Sequence, residues 1–410
     1  MRALLGSEFP EFLAALETPS PTSVRTNPNK PGQLFAPDEY DGQIPWCPDA
    51  YYLKNRPTFT LDPCFHCGAY YVQEASSMFL AAVLRQLQDA RPLRVLDLCA
   101  APGGKSTLLA SLLSRDSLLV ANEVIKPRAA VLKENIVKWG QDNIVVTSGD
   151  PSRFAAFPGA FDIILVDAPC SGEGMFRKDE KAVGEWSENN LRLCEERQKR
   201  ILSDIWPALR PEGFLIYSTC TYNPGENDDA LQWLTRDFAA VPVPARDTFP
   251  GITPTLYGQQ FYPHKTRGEG LYMGVVQKTD GETFTPKKEK RQPDTRPSAG
   301  IKYYFPDSRN FVFYQSGPVI GAMPSRHADF IRQLESRVNV LYKGCEIGED
   351  IKGKIKPSPA LALYSRLDKD RHPCLELDLP AALRYLRRED IRMEAPRGEW
   401  LHYVAMDKAE

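Results

Sequence analysis

Two cysteines each follow an apolar run of strand type. Cys170 lies in Asp167-Ala-Pro-Cys-Ser-Gly-Glu-Gly174, directly after Phe161-Asp-Ile-Ile-Leu-Val166. Cys220 lies in Tyr217-Ser-Thr-Cys-Thr-Tyr-Asn-Pro-Gly-Glu-Asn227. A cysteine inside a core strand is usually a small hydrophobe. One at the functional edge of a sheet, beside polar loop residues, is a nucleophile candidate. Spacing alone does not say which of the two would attack. Three carboxylates recur in equivalent places: Glu123 closes Leu118-Leu-Val-Ala-Asn-Glu, Asp150 follows Ile144-Val-Val, and Asp167 closes the run from Phe161. Taken singly, each is as readily a cap or turn residue. Three at consecutive strand ends point to a ligand, and a carboxylate after the second strand is well placed to hold both hydroxyls of a ribose.

Residues 94–107, Arg-Val-Leu-Asp-Leu-Cys-Ala-Ala-Pro-Gly-Gly-Lys-Ser-Thr, supply the place for that ligand. An apolar run ends at Cys99. Ala100, Ala101, Pro102, Gly103 and Gly104 make a tight turn, and Lys105 opens a helical run. Glycines let the backbone approach a ligand closely, and a helix start offers free N–H donors. The phosphate-loop motif needs a glycine five places before Gly104, where Cys99 stands, and the three spaced glycines of a dinucleotide site are absent. A nucleoside without phosphates fits: S-adenosylmethionine.

The elements that must position these residues alternate from 94 to 278. Strands are predicted at 94–98, 118–123, 144–147, 161–166, 213–218 and 270–277. Helices are predicted at 105–114, 127–138, 188–209 and near 226–236. This alternation predicts an α/β, Rossmann-like, doubly wound sheet with its ligand crevice at the carboxyl ends of the strands. Ahead of it, Ser23-Val-Arg-Thr-Asn-Pro-Asn-Lys30 reads as a strand ending in a turn, with Arg25 and Lys30 able to touch phosphate but more readily read as a solvated surface. Tyr70 and Tyr71 read as core. Cys64 and Cys67, with Cys47, lack a second ligand pair at zinc spacing, so no metal is expected. Residues 279–299 carry one aromatic and many charges and read as a linker, in which Lys287, Lys288, Lys290 and Arg291 form a basic run that either assists RNA binding or is simply solvated. Residues 300–410 regain apolar strand-like stretches and predict a small α+β module.

The chain has 410 residues and a net charge of -2, so any nucleic-acid site is a local basic surface and not a global property. No apolar run approaches the ~20 residues of a membrane span. The start, Met1-Arg-Ala-Leu-Leu-Gly-Ser-Glu-Phe-Pro, is not a secretory signal. Nine scattered cysteines suit a reduced, cytoplasmic protein better than a disulfide framework.

Asp97-Leu-Cys-Ala-Ala-Pro-Gly-Gly-Lys-Ser, Val166-Asp-Ala-Pro-Cys-Ser-Gly and Tyr217-Ser-Thr-Cys-Thr together resemble the Nop/Sun-type RNA cytosine-5 methyltransferases. Tyr70-Tyr-Val-Gln-Glu-Ala-Ser-Ser-Met78 and Pro263-His-Lys-Thr-Arg-Gly-Glu-Gly270 resemble the bacterial ribosomal-RNA, RsmF-like branch. The resemblance runs from about residue 20 to the end. It implies that Cys99, Ala100, Ala101, Pro102, Gly103, Gly104 and Lys105 hold the methionine part of S-adenosylmethionine. Glu123 would bind the ribose, Asp150 would sit near the adenine, and Asp167 would lie beside cofactor and target base. Cys220 matches the family nucleophile and Cys170 the cysteine of product release. It also implies three parts: an RNA-contacting segment over 1–75, the methyltransferase domain over 76–278, and, after the linker, a PUA-like RNA-binding module over 300–410. Pro357-Ser-Pro-Ala-Leu-Ala362 and Ala381-Ala-Leu-Arg-Tyr-Leu-Arg-Arg388 match that module, in which Arg384, Arg387 and Arg388 would either face phosphate or form a solvated helical face. The family's Gly-Trp-Lys-rich continuation is absent after Trp400-Leu-His-Tyr.

The expected activity is therefore methylation of C5 of a cytosine in ribosomal RNA. The rivals are the same chemistry on transfer RNA and a non-catalytic RNA-binding assembly factor on the same fold. Pro169-Cys170 is followed by Ser171, unlike the Pro-Cys-Gln loop of DNA cytosine-5 enzymes, and two cysteines in place argue against a non-catalytic factor.

Overall fold

A computed structural model describes residues 1–285, 308–352, 355–368 and 376–391, and the backbone alone of 354, 374, 375 and 402–405. The chain opens with a helix, Phe9–Leu16, and a four-stranded antiparallel sheet: β1 (Thr22–Thr26), β2 (Tyr40–Gln43), β3 (Ala50–Leu53) and β4 (Tyr70–Val72), in the order β2-β3-β1-β4. A helix, Leu80–Leu87, leads from it to the main sheet.

The centre of that sheet is β5 (Arg94–Asp97), β6 (Leu118–Asn122), β7 (Ile144–Ser148), β8 (Phe161–Asp167) and β9 (Leu209–Thr219). These run parallel in the order β9-β8-β5-β6-β7. Side chains alternate between faces along a strand, yet both faces here are apolar. Val95, Leu119, Val146 and Ile163 pack on one side with Leu108, Leu132 and Ile136. Leu96, Val120, Val145 and Ile164 pack on the other with Ile201, Leu202 and Ile205. A parallel sheet buried on both faces needs this composition. The strand order reverses between β5 and β8, so the loops that follow these two strands flank the switch point, where such sheets bind ligands.

Beyond β9 come β10 (Ala240–Pro242), β11 (Thr253–Pro254), β12 (Gly258–Phe261) and β13 (Leu271–Lys278). β13 runs antiparallel to β9, so the sheet is mixed. Predicted and observed elements differ at one boundary of consequence. The helix expected over 188–209 ends at Ile205, and Leu209 already pairs with Phe161, making β9 an 11-residue strand. Pro207 lacks the N–H that would continue the helix.

After residue 307 come β14 (Phe311–Ser316), β15 (Val319–Pro324), β16 (Asn339–Lys343), β17 (Cys345–Ile351), β18 (Lys354–Pro357), β19 (Cys374–Leu377) and β20 (His402–Ala405). β14, β15, β17 and β18 form an antiparallel sheet. β16 does not join it. It pairs antiparallel with β7 and extends the main sheet. Phe330, Ile331 and Leu334 of the helix Ala328–Glu335 enter the core beside Phe157 and Phe161. The helix Ala328–Glu335 and β16 thus pack on the main sheet and extend it. The start of the expected linker packs against the same region. Phe284 packs edge-on to Phe330 at 5.5 Å, with Arg94 over both rings. Lys287, Lys288, Lys290, Arg291 and Trp400 lie outside the described residues.

Candidate active site

The glycine loop follows β5. Gly103 adopts φ 114°, a left-handed conformation open to glycine, and caps the helix Gly104–Leu112. A Cβ on Gly104 would lie 3.4 Å from the Tyr71 ring, so the N-terminal sheet presses close on the loop. The loop backbone is held by its neighbours. Ala100 N–H donates to the Asn122 carbonyl (2.8 Å), Arg128 to the Ala101 carbonyl (2.8 Å), and the Asn135 amide to the Pro102 carbonyl (2.8 Å). The Asn122 amide donates to both Leu98 and Gly149 carbonyls, tying the loops after β5 and β7 together.

The expected carboxylates take three different environments. Glu123, one residue past β6, is buried. Its Oε1 accepts from Ile125 N–H (2.9 Å), while its Oε2 has no hydrogen-bond partner and faces Arg128 at 3.6 Å. Asp150 is largely exposed. It accepts from Ser152 N–H and Oγ, a bond that holds its pKa below the ordinary value. Asp167 accepts from Ser218 Oγ (2.6 Å) and pairs with Lys105 Nζ at 2.8 Å. Burial pulls Lys105 down, but the Asp167 carboxylate more than offsets it, and the ammonium titrates above its usual value. Buried, unpartnered oxygens at Glu123 and at Asp97 Oδ1 are the polar groups a nucleoside ligand would satisfy, so the residues present fit S-adenosylmethionine.

β8 and β9 are neighbouring parallel strands in register, Asp167 opposite Ser218. Their following loops therefore come together, and the Cys170 and Cys220 sulfurs stand 3.3 Å apart. A hydrogen bond from the Cys170 thiol lowers the pKa of Cys220. Burial and Asp167 oppose this, and Lys105 assists it. Cys170 gives that hydrogen bond and is itself buried, so its pKa is raised. The pair is chemically unequal: Cys220 is held toward thiolate and Cys170 toward thiol. Burial pushes the Cys99 thiol well above its ordinary value, which suits a loop wall and not a nucleophile.

A buried carboxylate missing from the sequence reading fixes the Cys170 turn. Glu226 accepts from Ser171 N–H (2.9 Å), from Ser171 Oγ (2.5 Å) and from the Gln198 amide (2.9 Å), which also donates to the Pro169 carbonyl (3.0 Å). Its signal was present in Asn223-Pro-Gly-Glu226-Asn, just after Cys220, but nothing local says that this loop folds back on the other cysteine. Arg25 also departs from expectation. It is buried, not solvated: it donates to Gln73, to the Gly104 carbonyl and to Thr107, and lies 4.7 Å over the Trp139 ring. Lys30 Nζ donates to the Cys67 and Lys138 carbonyls. Tyr70 is core, as expected, whereas Tyr71 is half-buried. Arg384 and Arg387 pair with Glu389 on an exposed helix end. Among the described residues no three His, Cys, Asp or Glu side chains group as a metal site, and no helix is long and apolar enough to cross a membrane.

An open sheet with a glycine loop at its switch point and acidic strand ends defines a Rossmann-like S-adenosylmethionine methyltransferase fold. Solved structures share it. A methyltransferase homologue from Pyrococcus horikoshii is 26% identical and covers 67% of this chain and 91% of its own, with a TM-score of 0.56. NSun6 from the same organism is 19% identical and covers 68% and 96%, with a TM-score of 0.58. The family model described as 16S rRNA methyltransferase RsmB/F matches residues 82–277, and that of the N-terminal domain of 16S rRNA methyltransferase RsmF matches 1–75. Ribosomal RNA small subunit methyltransferase F of Escherichia coli O139:H28 is 37% identical over 287 residues. Its counterpart in Shigella boydii serotype 18 is likewise 37% identical. Each match takes in 66% of this chain and 60% of the relative's length. The chain belongs to the Nop/Sun-type RNA cytosine-5 methyltransferase family, in its RsmF-like branch.

Proposed function

We propose that this chain methylates C5 of a cytosine in ribosomal RNA, with S-adenosylmethionine as methyl donor, in the cytoplasm. The observation that carries this reading is the cysteine pair at the ends of two adjacent parallel strands, its sulfurs 3.3 Å apart, with the Asp167–Lys105 ion pair beside them. The names carried by the matching family models support the substrate class.

Bound S-adenosylmethionine supplies an electrophilic methyl group on a sulfonium. Cys99 to Lys105 would hold its methionine part, Glu123 the ribose hydroxyls, and Asp150 would stand near the adenine. C5 of cytosine is a poor nucleophile. The Cys220 thiolate adds to C6, the ring becomes enamine-like, and C5 can then attack. Asp167, held by Lys105 and Ser218, would meet the N3 edge in its protonated form and donate there, which stabilises the negative charge that thiolate addition puts on the base. Once C5 carries the methyl group, the C5 proton leaves to Cys170 after that thiol has given its own proton to water, or to a water that Cys170 holds, and the Cys220–C6 bond breaks to return the Cys220 thiolate. The cytosine enters unstacked, from a loop or by flipping. The stretch after residue 300, of PUA-like type, would bind RNA beside the site.

The test supplies label in the S-adenosylmethionine methyl group and offers small-subunit ribosomal RNA, the assembled subunit and transfer RNA in parallel. The expected product is labelled 5-methylcytidine in ribosomal RNA. Label in transfer RNA alone would overturn the substrate class, and label on another base would overturn the chemistry.

A further inference from the structure

A cavity of about 440 Å³ lies between the N-terminal sheet and the helix Lys126–Trp139, apart from the cysteine pair. The volume is in the range of small-ligand pockets. Its walls combine flat rings with a few converging polar groups, the make-up of a site for a heteroaromatic ligand. Phe59 is buried, and Phe65 and Tyr71 are half-buried. The Tyr71 hydroxyl makes no hydrogen bond among the described residues. Asn135 spends its amide N–H on the Pro102 carbonyl, which leaves its carbonyl oxygen for a ligand. Arg56 is exposed at the rim, 5.4 Å over the Phe59 ring, with no carboxylate partner among the described residues. Lys138 lies 5.6 Å over the Phe65 ring and is already paired with Glu134. Arg56 is therefore the cation available to an anion here.

Two neighbours place the cavity on a longer path. The helix Pro63–His66, which carries Phe65, packs against the helix Leu379–Leu386, where Arg387 and Arg388 are exposed. On the inner side, Asn135 and Tyr71 both abut the glycine loop, at Pro102 and Gly104. Rings for stacking, one unpaired cation at the mouth and the exposed Arg388 alongside are what a single strand of nucleic acid requires.

We propose that this cavity is a second RNA subsite, which takes one unstacked nucleotide of the substrate strand with its base against Phe65 and Tyr71 and its phosphate toward Arg56. The proposal rests on the reading of RNA as substrate. It adds a contact that fixes the strand at a distance from the target cytosine and directly behind the glycine loop.

The test uses the full chain and two substitutions at exposed positions, Arg56→Glu to reverse the rim charge and Thr60→Trp to fill the mouth. Affinity for a labelled single-stranded RNA oligonucleotide is read by fluorescence anisotropy. Binding of S-adenosylmethionine and the thermal midpoint of each variant serve as controls for folding. CMP and AMP are offered separately. Both variants should lose about tenfold in RNA affinity, the scale of one stacked base or one phosphate contact, with S-adenosylmethionine binding unchanged. Wild type that binds and methylates RNA, matched by both variants within twofold, would overturn the subsite alone. Saturable CMP or AMP binding that both variants abolish, with RNA affinity intact, would assign the cavity to a free nucleotide and overturn the RNA source. Wild type that neither binds nor methylates RNA would overturn the reading beneath the proposal, and the subsite with it.

Discussion

Asp97 is fully buried, accepts from Ser106 Oγ at 2.6 Å, and leaves its second oxygen without a partner. Burial pushes its carboxyl up to about 7. A folded pKa above the unfolded value means that the group's contribution is full below about pH 4 and is lost as pH rises through about 7. Ligand-free wild type should therefore lose stability against Asp97→Asn over that window, by about 4 kcal/mol at most. Urea unfolding midpoints at several pH values measure it, and parallel profiles for the two proteins would contradict it. The cysteines sit at the same scale and were legible in the sequence, because each is embedded in a long, specific motif beside a strand. What the sequence withheld was their inequality. That depends on 3.3 Å between sulfurs and on Lys105, from the first turn of the helix that follows the glycine loop.

Among the elements, β1 decides how the N-terminal sheet meets the glycine loop, and Arg25 is the joint. Its guanidinium, pushed down to about 10 by burial, donates to the Gly104 carbonyl and to Thr107 Oγ1 at 2.6 Å. Replacing Arg25 with Met leaves the Gln73 and Thr107 groups short of a partner and should cost about 3 kcal/mol, read by chemical denaturation. A change below about 0.5 kcal/mol would show that β1 is held by its apolar contacts alone. Nothing in Ser23-Val-Arg-Thr announces burial. An arginine among small polar residues reads as surface, and its partners come from a helix some 80 positions on. The central strands were legible for the opposite reason. Val95, Leu96, Leu119 and Val120 are apolar on both faces, and that composition is local.

For the molecule as a whole, a segment beyond the expected linker completes the main sheet. β16 covers the outer edge of β7, and Tyr364 and Arg366 reach Asp142 at 2.5 Å and 3.2 Å. This pairing joins segments almost 200 residues apart, and strand propensity does not encode it. A chain ending at residue 285 would bare the β7 edge and the apolar surface that Phe330 and Ile331 cover. It should aggregate or show a lower thermal midpoint than the full chain in size-exclusion and melting experiments. A monomer of unchanged midpoint would contradict this.

The central claim is the division of labour between two adjacent thiols. Cys170→Ala and Cys220→Ala are each incubated with S-adenosylmethionine and unmodified small-subunit ribosomal RNA, then run on a denaturing gel. If Cys220 attacks C6 and Cys170 releases the product, the Cys170→Ala protein accumulates a slow-migrating protein–RNA adduct and the Cys220→Ala protein forms none. An adduct with Cys220→Ala but not with Cys170→Ala would reverse the roles, and methyl transfer by wild type with no adduct in either variant would contradict the covalent route.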